Sequence, residues 1–354
     1  MSIHIFFSEI LYRHRPPRNI YHPENPSRLD IALKSIKEII SIDNRIKILD
    51  SNVAEFINYI RRIHDYDYVE YIYSLCLEGD TYIDSDTYIS RDSCRVAEKA
   101  IGLSVRAMNE AIEHRETLAF ALVRPPGHHA GIRGRAMDAP TQGFCIFNNI
   151  AATTIYALDR GYSPIAIIDI DVHHGNGTQE IFWYDPRVIH IDIHEYGIYP
   201  GTGYIDEIGG KGAEGTKINI PLPPYSGDDD YLYIVREIVL PIIYSVKPKI
   251  IAISAGFDAY RDDGLADMEV TTIFYESFGK LLRFLSRDIS VMGVLEGGYS
   301  IGIENGFSAF LKGFLKGIDC VDKLFIDIKP SDRVINIVSR VKNILKPIYT
   351  TWHS

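Results

Sequence analysis

Five short apolar runs recur along the chain, and each stops abruptly in polar residues. Residues 117–123 (TLAFALV) lead into Arg124-Pro125-Pro126-Gly127-His128-His129. Residues 165–168 (IAII) lead into Asp169-Ile170-Asp171-Val172-His173-His174-Gly175-Asn176-Gly177. Residues 188–193 (VIHIDI) end in His194, residues 250–254 (IIAIS) in Ala255-Gly256-Phe257-Asp258, and residues 291–295 (VMGVL) in Glu296-Gly297-Gly298-Tyr299. Most of these runs lack the apolar–polar alternation of a half-exposed strand, so they read as strands buried on both faces.

Helical patterns lie between most of them. Leu29, Ala32, Ile36 and Ile39 form one stripe, with Ser27 as the expected cap. Ala97, Ile101, Val105, Met108 and Ile112 form a second at spacings of three and four. Residues 149–158 are apolar up to Gly161, and Ser331 stands ahead of Val334, Ile337, Val341 and Ile344. Residues 231–246 contain Pro241, which predicts a kink or break. Strands alternating with helices predict an α/β fold: one mostly parallel central sheet with helices on both faces. In such a sheet the ligand site lies beyond the carboxyl ends of the strands. The five polar clusters should therefore converge. They are spread evenly, with no linker or internal repeat, so residues 1–354 read as a single domain.

Composition narrows the class. The chain is 46% hydrophobic and 24% charged, as expected for a globular enzyme. Its net charge of −10 argues against direct nucleic-acid binding, and no apolar run approaches membrane-spanning length. Cys76, Cys94, Cys145 and Cys320 show no CxxC spacing, which predicts reduced thiols and a cytoplasmic protein, not a disulfide framework.

The run after residue 168 carries the most chemistry. Carboxylates and imidazoles at the edge of a core are costly unless paired or bound to a metal. Asp171 and His173, two apart on extended chain, point to the same side. They form a two-ligand jaw suited to zinc, or else a buried Asp–His pair at a strand end.

Together these segments carry a family resemblance. Residues 124–129 (RPPGHH), 143–149 (GFCIFNN), 169–179 (DIDVHHGNGTQ), 199–203 (YPGTG), 254–258 (SAGFD) and 295–299 (LEGGY) are similar to the histone deacetylase superfamily. Residues 22–29 (HPENPSRL) resemble its opening segment, and Asn176 with the RPPGHH form resembles the class II branch, which includes acetylpolyamine amidohydrolases. The resemblance spans roughly residues 20–300 and implies the arginase–deacetylase fold.

It also implies roles. Asp171, His173 and Asp258 would hold one zinc per chain, leaving a coordination position open. His128 and His129 would be the tandem histidines beside the attacking water, partnered by Asp169 and Asn176 respectively. A carboxylate partner favours a charged imidazole more than an amide does, which makes His129 the better neutral base. Tyr299 would hydrogen-bond the substrate carbonyl. Phe144 and Tyr199 resemble the walls of an acyl-lysine tunnel, although bare aromatics are more often core. Asp86 resembles a rim carboxylate that grips the substrate backbone; read alone it is a solvated loop acid. Leu265 falls where the family's tunnel mouth lies, at a position that is glutamate in polyamine-preferring eukaryotic members. Asp169 and Asp192 resemble a structural monovalent-cation site (K+ or Na+), with Asp192 standing where many relatives have serine. Arg28 resembles an inner-channel arginine, and is about as readily a surface helix cation. Cys145 reads as packing. Residues 131–142 form a loop longer than in many relatives, expected at the pocket rim.

The implied activity is zinc-dependent removal of acetyl or other short acyl groups from acetyl-lysine or related amines, including acetylated polyamines. A binuclear manganese hydrolase shares the fold but needs further carboxylates, and Tyr260 stands where that pattern has a second aspartate. A non-catalytic acyl-lysine-binding module would be expected to have lost Tyr299, a histidine or a ligand, and none is lost.

Overall fold

The computed structural model describes residues 1–352. Eight parallel strands make the central sheet: β1 (Ser2–Phe6), β2 (Ile46–Leu49), β3 (Thr117–Ala121), β4 (Ile165–Asp169), β5 (Val188–Glu195), β6 (Lys217–Leu222), β7 (Ile250–Ala255) and β8 (Ser290–Leu295). Their spatial order is β6-β5-β4-β7-β8-β3-β1-β2. The five strands expected from the sequence are the five contiguous members β5-β4-β7-β8-β3. Every residue in them is buried, as the unbroken apolar runs require.

The chain first builds β1, β2 and β3 on one side of the sheet. It then crosses to build β4, β5 and β6 outward on the other, and returns to fill the gap with β7 and β8. The strand order thus reverses at the centre, where a crevice forms beyond the carboxyl ends. Three strands were not anticipated: β1, β2 and β6. β2 has only four residues and is largely exposed, and β6 carries Pro221, tolerated because β6 lies at a sheet edge.

The helices follow the stripes, with local corrections. Ser331 accepts a hydrogen bond from the Val334 amide at 3.3 Å and caps the helix Asp332–Leu345 as expected. Ser27 does not cap: it is the first residue of the helix Ser27–Ile40, and its hydroxyl donates to Asn25 Oδ1 at 2.6 Å. Pro241 produces the expected interruption. A π-helical turn over Val235–Val239 separates the helical segments Asp228–Ile234 and Leu240–Val246, widening the backbone where proline withholds its N–H.

The cysteine expectation is overturned. Cys76 and Cys94 form a disulfide with a Cα–Cα separation of 6.1 Å, while Cys145 and Cys320 are free. The pair joins the last turn of the helix Tyr66–Glu78 to the first turn of Ser93–Glu113. Their spacing of 18 residues carries no motif, because the packing of these helices makes the pair. The bond removes the argument from cysteine usage to a reducing compartment. Among the described residues no helix is long and apolar enough to cross a membrane.

Candidate active site

Beyond the sheet's carboxyl edge the strand ends are stitched to one another by backbone donors and carboxylates. Asp171, just past β4, accepts from the Gly297 amide after β8 at 2.7 Å. Asp258, after β7, accepts from the Val172 amide at 3.0 Å through Oδ1. Glu296 accepts from the amides of Gly127 and His128 at 2.7 and 3.2 Å, tying β8 to the histidine turn after β3. Side chains at Gly256 and Gly297 would overlap the carboxylates of Asp171 and Asp258, so this close approach requires glycine.

Asp171, His173 and Asp258 meet as the sequence predicts. His173 Nδ1 lies 3.1 Å from Asp171 Oδ1 and 3.2 Å from Asp258 Oδ2. The three donors form a group able to hold one metal ion. Asp258 Oδ2 is buried and has no hydrogen-bond partner among the described residues, an expensive state for a carboxylate oxygen that a cation would relieve. Two carboxylates and an imidazole also match zinc's preferences. Burial and the neighbouring Asp171 push Asp258 up to about 6. His173, opposed by burial but held by both carboxylates, is raised to about 10.

The tandem histidines have the partners that the resemblance implies. His128 Nδ1 faces Asp169 Oδ2 at 3.1 Å, and His129 Nδ1 faces Asn176 Oδ1 at 2.8 Å. The two rings are 4.0 Å apart. Against the pull of burial, Asp171 and Asp169 hold His128 well above the usual histidine value. Burial, reinforced by the neighbouring His128 and His173, holds His129 well below it. The two adjacent imidazoles thus differ in opposite directions from an ordinary histidine in their hold on a proton.

Tyr299 rides on a loop fastened from two sides. Its amide donates to Asp263 Oδ2 at 2.7 Å, and the amides of Ser300 and Gly302 donate to Asp263 Oδ1 at 2.9 and 2.8 Å. Arg28 is wholly buried, which excludes the surface reading. It donates to the carbonyls of Gly298, at 2.7 Å, and Glu296, and its guanidinium lies 4.8 Å from the Tyr299 ring centroid. Withdrawal from water keeps the Tyr299 phenol well above the usual tyrosine range, so it remains a proton donor.

Phe144 and Tyr199 both border this group. Phe144 packs edge-on against Tyr299 at 5.8 Å, and Tyr199 against His129 at 4.9 Å. Asp86 accepts from Thr141 at 2.5 Å and from Thr87 at 2.7 Å, while Thr87 Oγ1 accepts the Phe144 amide at 3.1 Å. Tyr199 donates to the Thr141 carbonyl at 2.9 Å. Residues 131–142 thus connect Asp86 to Tyr199, and Asn176 fastens them by donating to the Ala136 carbonyl at 2.9 Å. Leu265 is exposed, two residues beyond the Asp263 that holds the Tyr299 loop. Cys145 is buried, and burial raises its thiol well above the usual range, consistent with packing.

Asp169 and Asp192 also converge, joined by His190, which sequence reasoning passed over. Sequence reasoning likewise missed the part played by Glu24. This buried carboxylate accepts two hydrogen bonds from Arg124, each at 2.7 Å, and lies 3.4 Å from Arg28. His64, another omission, bridges the Gly131 carbonyl at 2.7 Å and the Asn148 amide at 3.0 Å. The tie that Glu296 makes to the histidine turn was missed too, and only its position directly after an apolar run could have flagged it.

Comparison with known proteins identifies the relatives of this chain. Residues 22–313 match the histone deacetylase domain family. The chain is 46% identical over 348 residues to an uncharacterized protein of Methanocaldococcus jannaschii, covering 96% of each. It is 36% identical over 301 residues to a probable deacetylase of Archaeoglobus fulgidus, covering 84% of this chain and 81% of that one. The crystal structure of the HDA15 HD domain superposes with a TM-score of 0.87 at 32% identity, covering 99% and 96% of the two chains. The chain belongs to the histone deacetylase family.

Proposed function

We propose that this deacetylase-family protein is a zinc-dependent amidohydrolase that removes acetyl groups from acetyl-lysine. The observation that carries the reading is the buried Asp258 Oδ2, which makes no hydrogen bond among the described residues and faces His173 Nδ1 at 3.2 Å beside Asp171 and two histidines of opposite protonation preference. Asp171, His173 and Asp258 would hold the metal. When bound, zinc supplies Lewis acidity toward the amide carbonyl and lowers the pKa of water.

The protein's own groups do the rest. His129, kept neutral and oriented through Nδ1 by Asn176, takes a proton from the attacking water. His128, oriented through Nδ1 by Asp169, hands a proton to the departing amine. Tyr299, with its loop fixed by Asp263 and Arg28, donates to the oxyanion that forms as the acyl carbon becomes tetrahedral. Phe144 and Tyr199 flank the alkyl chain and limit water at the reacting carbon. Asp86, beside Tyr199 on the rim, offers its remaining lone pairs to backbone amides of a peptide.

Acetylated polyamines are the second substrate class, because they present the same terminal amide. The apolar Leu265 favours acetyl-lysine, since a polyamine's distal ammonium would gain from a carboxylate there. A side-by-side assay of acetyl-lysine peptides and acetylspermidine with the zinc-loaded protein tests the reading. Higher kcat/KM on the peptides is expected. A preference for acetylspermidine would overturn the substrate assignment, and turnover of neither would overturn the activity.

A further inference from the structure

Behind the Asp171–His173–Asp258 group lies a second, fully buried convergence: Asp169 at the end of β4, and His190 and Asp192 on β5. His190 Nε2 stands 3.4 Å from Asp192 Oδ2 and 3.9 Å from Asp169 Oδ2. Neither ring nitrogen of His190 has a hydrogen-bond partner among the described residues, although the side chain has no exposure. An imidazole that makes no hydrogen bond in a core is costly, and one within 4 Å of two carboxylates yet hydrogen-bonded to neither is suited to an intermediary.

The distances point to what that is. A direct N–H···O bond closes at about 2.9 Å. Two ligands at about 2.1 Å from one ion, at a tetrahedral angle, stand roughly 3.4 Å apart. Gly175 closes over the two carboxylates as only glycine can: an added Cβ would come within 2.5 Å of Asp169 Oδ2 and 3.2 Å of Asp192 Oδ2. The Gly175 amide donates to Asp192 Oδ2 at 2.8 Å, and the Asp171 amide to Asp169 Oδ1 at 3.1 Å, so both carboxylates are held in place.

This donor set does not fit the monovalent cation that the family resemblance implies. Alkali cations take oxygen ligands, and an imidazole nitrogen is a poor one for them. Two carboxylates beside one imidazole instead match a divalent transition ion in both charge and donor type. We infer that Asp169, His190 and Asp192 bind a second divalent transition-metal ion, zinc by donor preference, buried behind the catalytic group. It joins β4 to β5 and holds Asp169 against His128. The tally of one zinc per chain then describes the catalytic site alone, and the whole chain carries two.

Metal analysis of the purified protein, stripped with a chelator, returned to zinc and dialysed in 100 mM KCl, tests this. Two zinc ions per chain are expected in the wild type, one in His190→Phe and one in Asp258→Asn. A single ion in the wild type, or two in His190→Phe, would overturn the second site. Cobalt titration of the wild type needs no variant: visible absorption should keep rising between one and two equivalents, and a plateau at one would overturn the proposal. The two metal sites fail separately. Loss of peptide deacetylation with two ions still bound would count against the proposed activity, not against this site.

Discussion

Acidification should weaken this protein through His64. The imidazole is buried, receives the Asn148 amide on Nε2 at 3.0 Å and donates from Nδ1 to the Gly131 carbonyl at 2.7 Å. Both nitrogens are committed, and only the neutral ring satisfies both partners. A proton on Nε2 would set one N–H against another. Burial accordingly brings His64 down to about 4. Above pH 6.5 the ring is neutral in the folded and unfolded chain alike, and the native state has its full stability. Between 6.5 and about 4 the unfolded chain takes up the proton and the folded chain does not, so stability falls as pH falls. The loss is about 1.4 kcal/mol per pH unit. Across the whole window it amounts to roughly 3 kcal/mol. Below about 4 both states are protonated and the contribution is flat. His14, also brought to about 4 by burial, adds a loss over the same window, so the wild-type curve alone does not isolate His64. His64→Gln does. Urea unfolding followed by circular dichroism from pH 7 to 4.5 should show a shallower decline for the variant, by up to one proton. Parallel curves would refute the reasoning. Because His64 ties the loop after the histidine pair to the helix Asn149–Asp159, a wild-type loss of turnover in the same pH range should track the unfolding.

Other perturbations separate chemistry from scaffold. Tyr299→Phe should lower kcat by about 10²–10³ and His129→Ala by roughly 10²–10⁴, both with the metal content unchanged. Near wild-type turnover in either variant would remove that residue from the mechanism. Leu265→Glu should shift the ratio of kcat/KM toward acetylspermidine, and an unchanged ratio would place that position away from the substrate. Opening the Cys76–Cys94 loop with Cys76→Ser should cost about 3 kcal/mol by loop-closure entropy, read as a lower urea midpoint. A variant as stable as the wild type would make that bond dispensable.

Much of the site was legible because buried parallel strands must be apolar throughout and must deliver their polar groups at their ends. That logic found β3, β4, β5, β7 and β8, and with them His128, Asp171, Asp258 and Tyr299. The resemblance supplied the pairing of His128 with Asp169 and His129 with Asn176, which no spacing could reveal across 41 and 47 residues. What stayed hidden depends on tertiary contact. The Cys76–Cys94 bond follows from two helices meeting. The resemblance left Arg28 open between an inner-channel arginine and a helix surface cation, and only Glu24 and the carbonyls of Glu296 and Gly298 around it decide for the interior. His190, flanked by Ile189 and Ile191, reads as part of an apolar strand, and only the neighbouring strand end gives it a role.

The most direct test of the account is acetate release from an acetyl-lysine peptide by protein stripped of metal and then titrated with zinc, beside Asp258→Asn treated in the same way. The account predicts no turnover in the stripped protein, recovery with added zinc, and no recovery in Asp258→Asn. Full turnover without metal, or zinc-restored turnover in Asp258→Asn equal to the wild type, would contradict it.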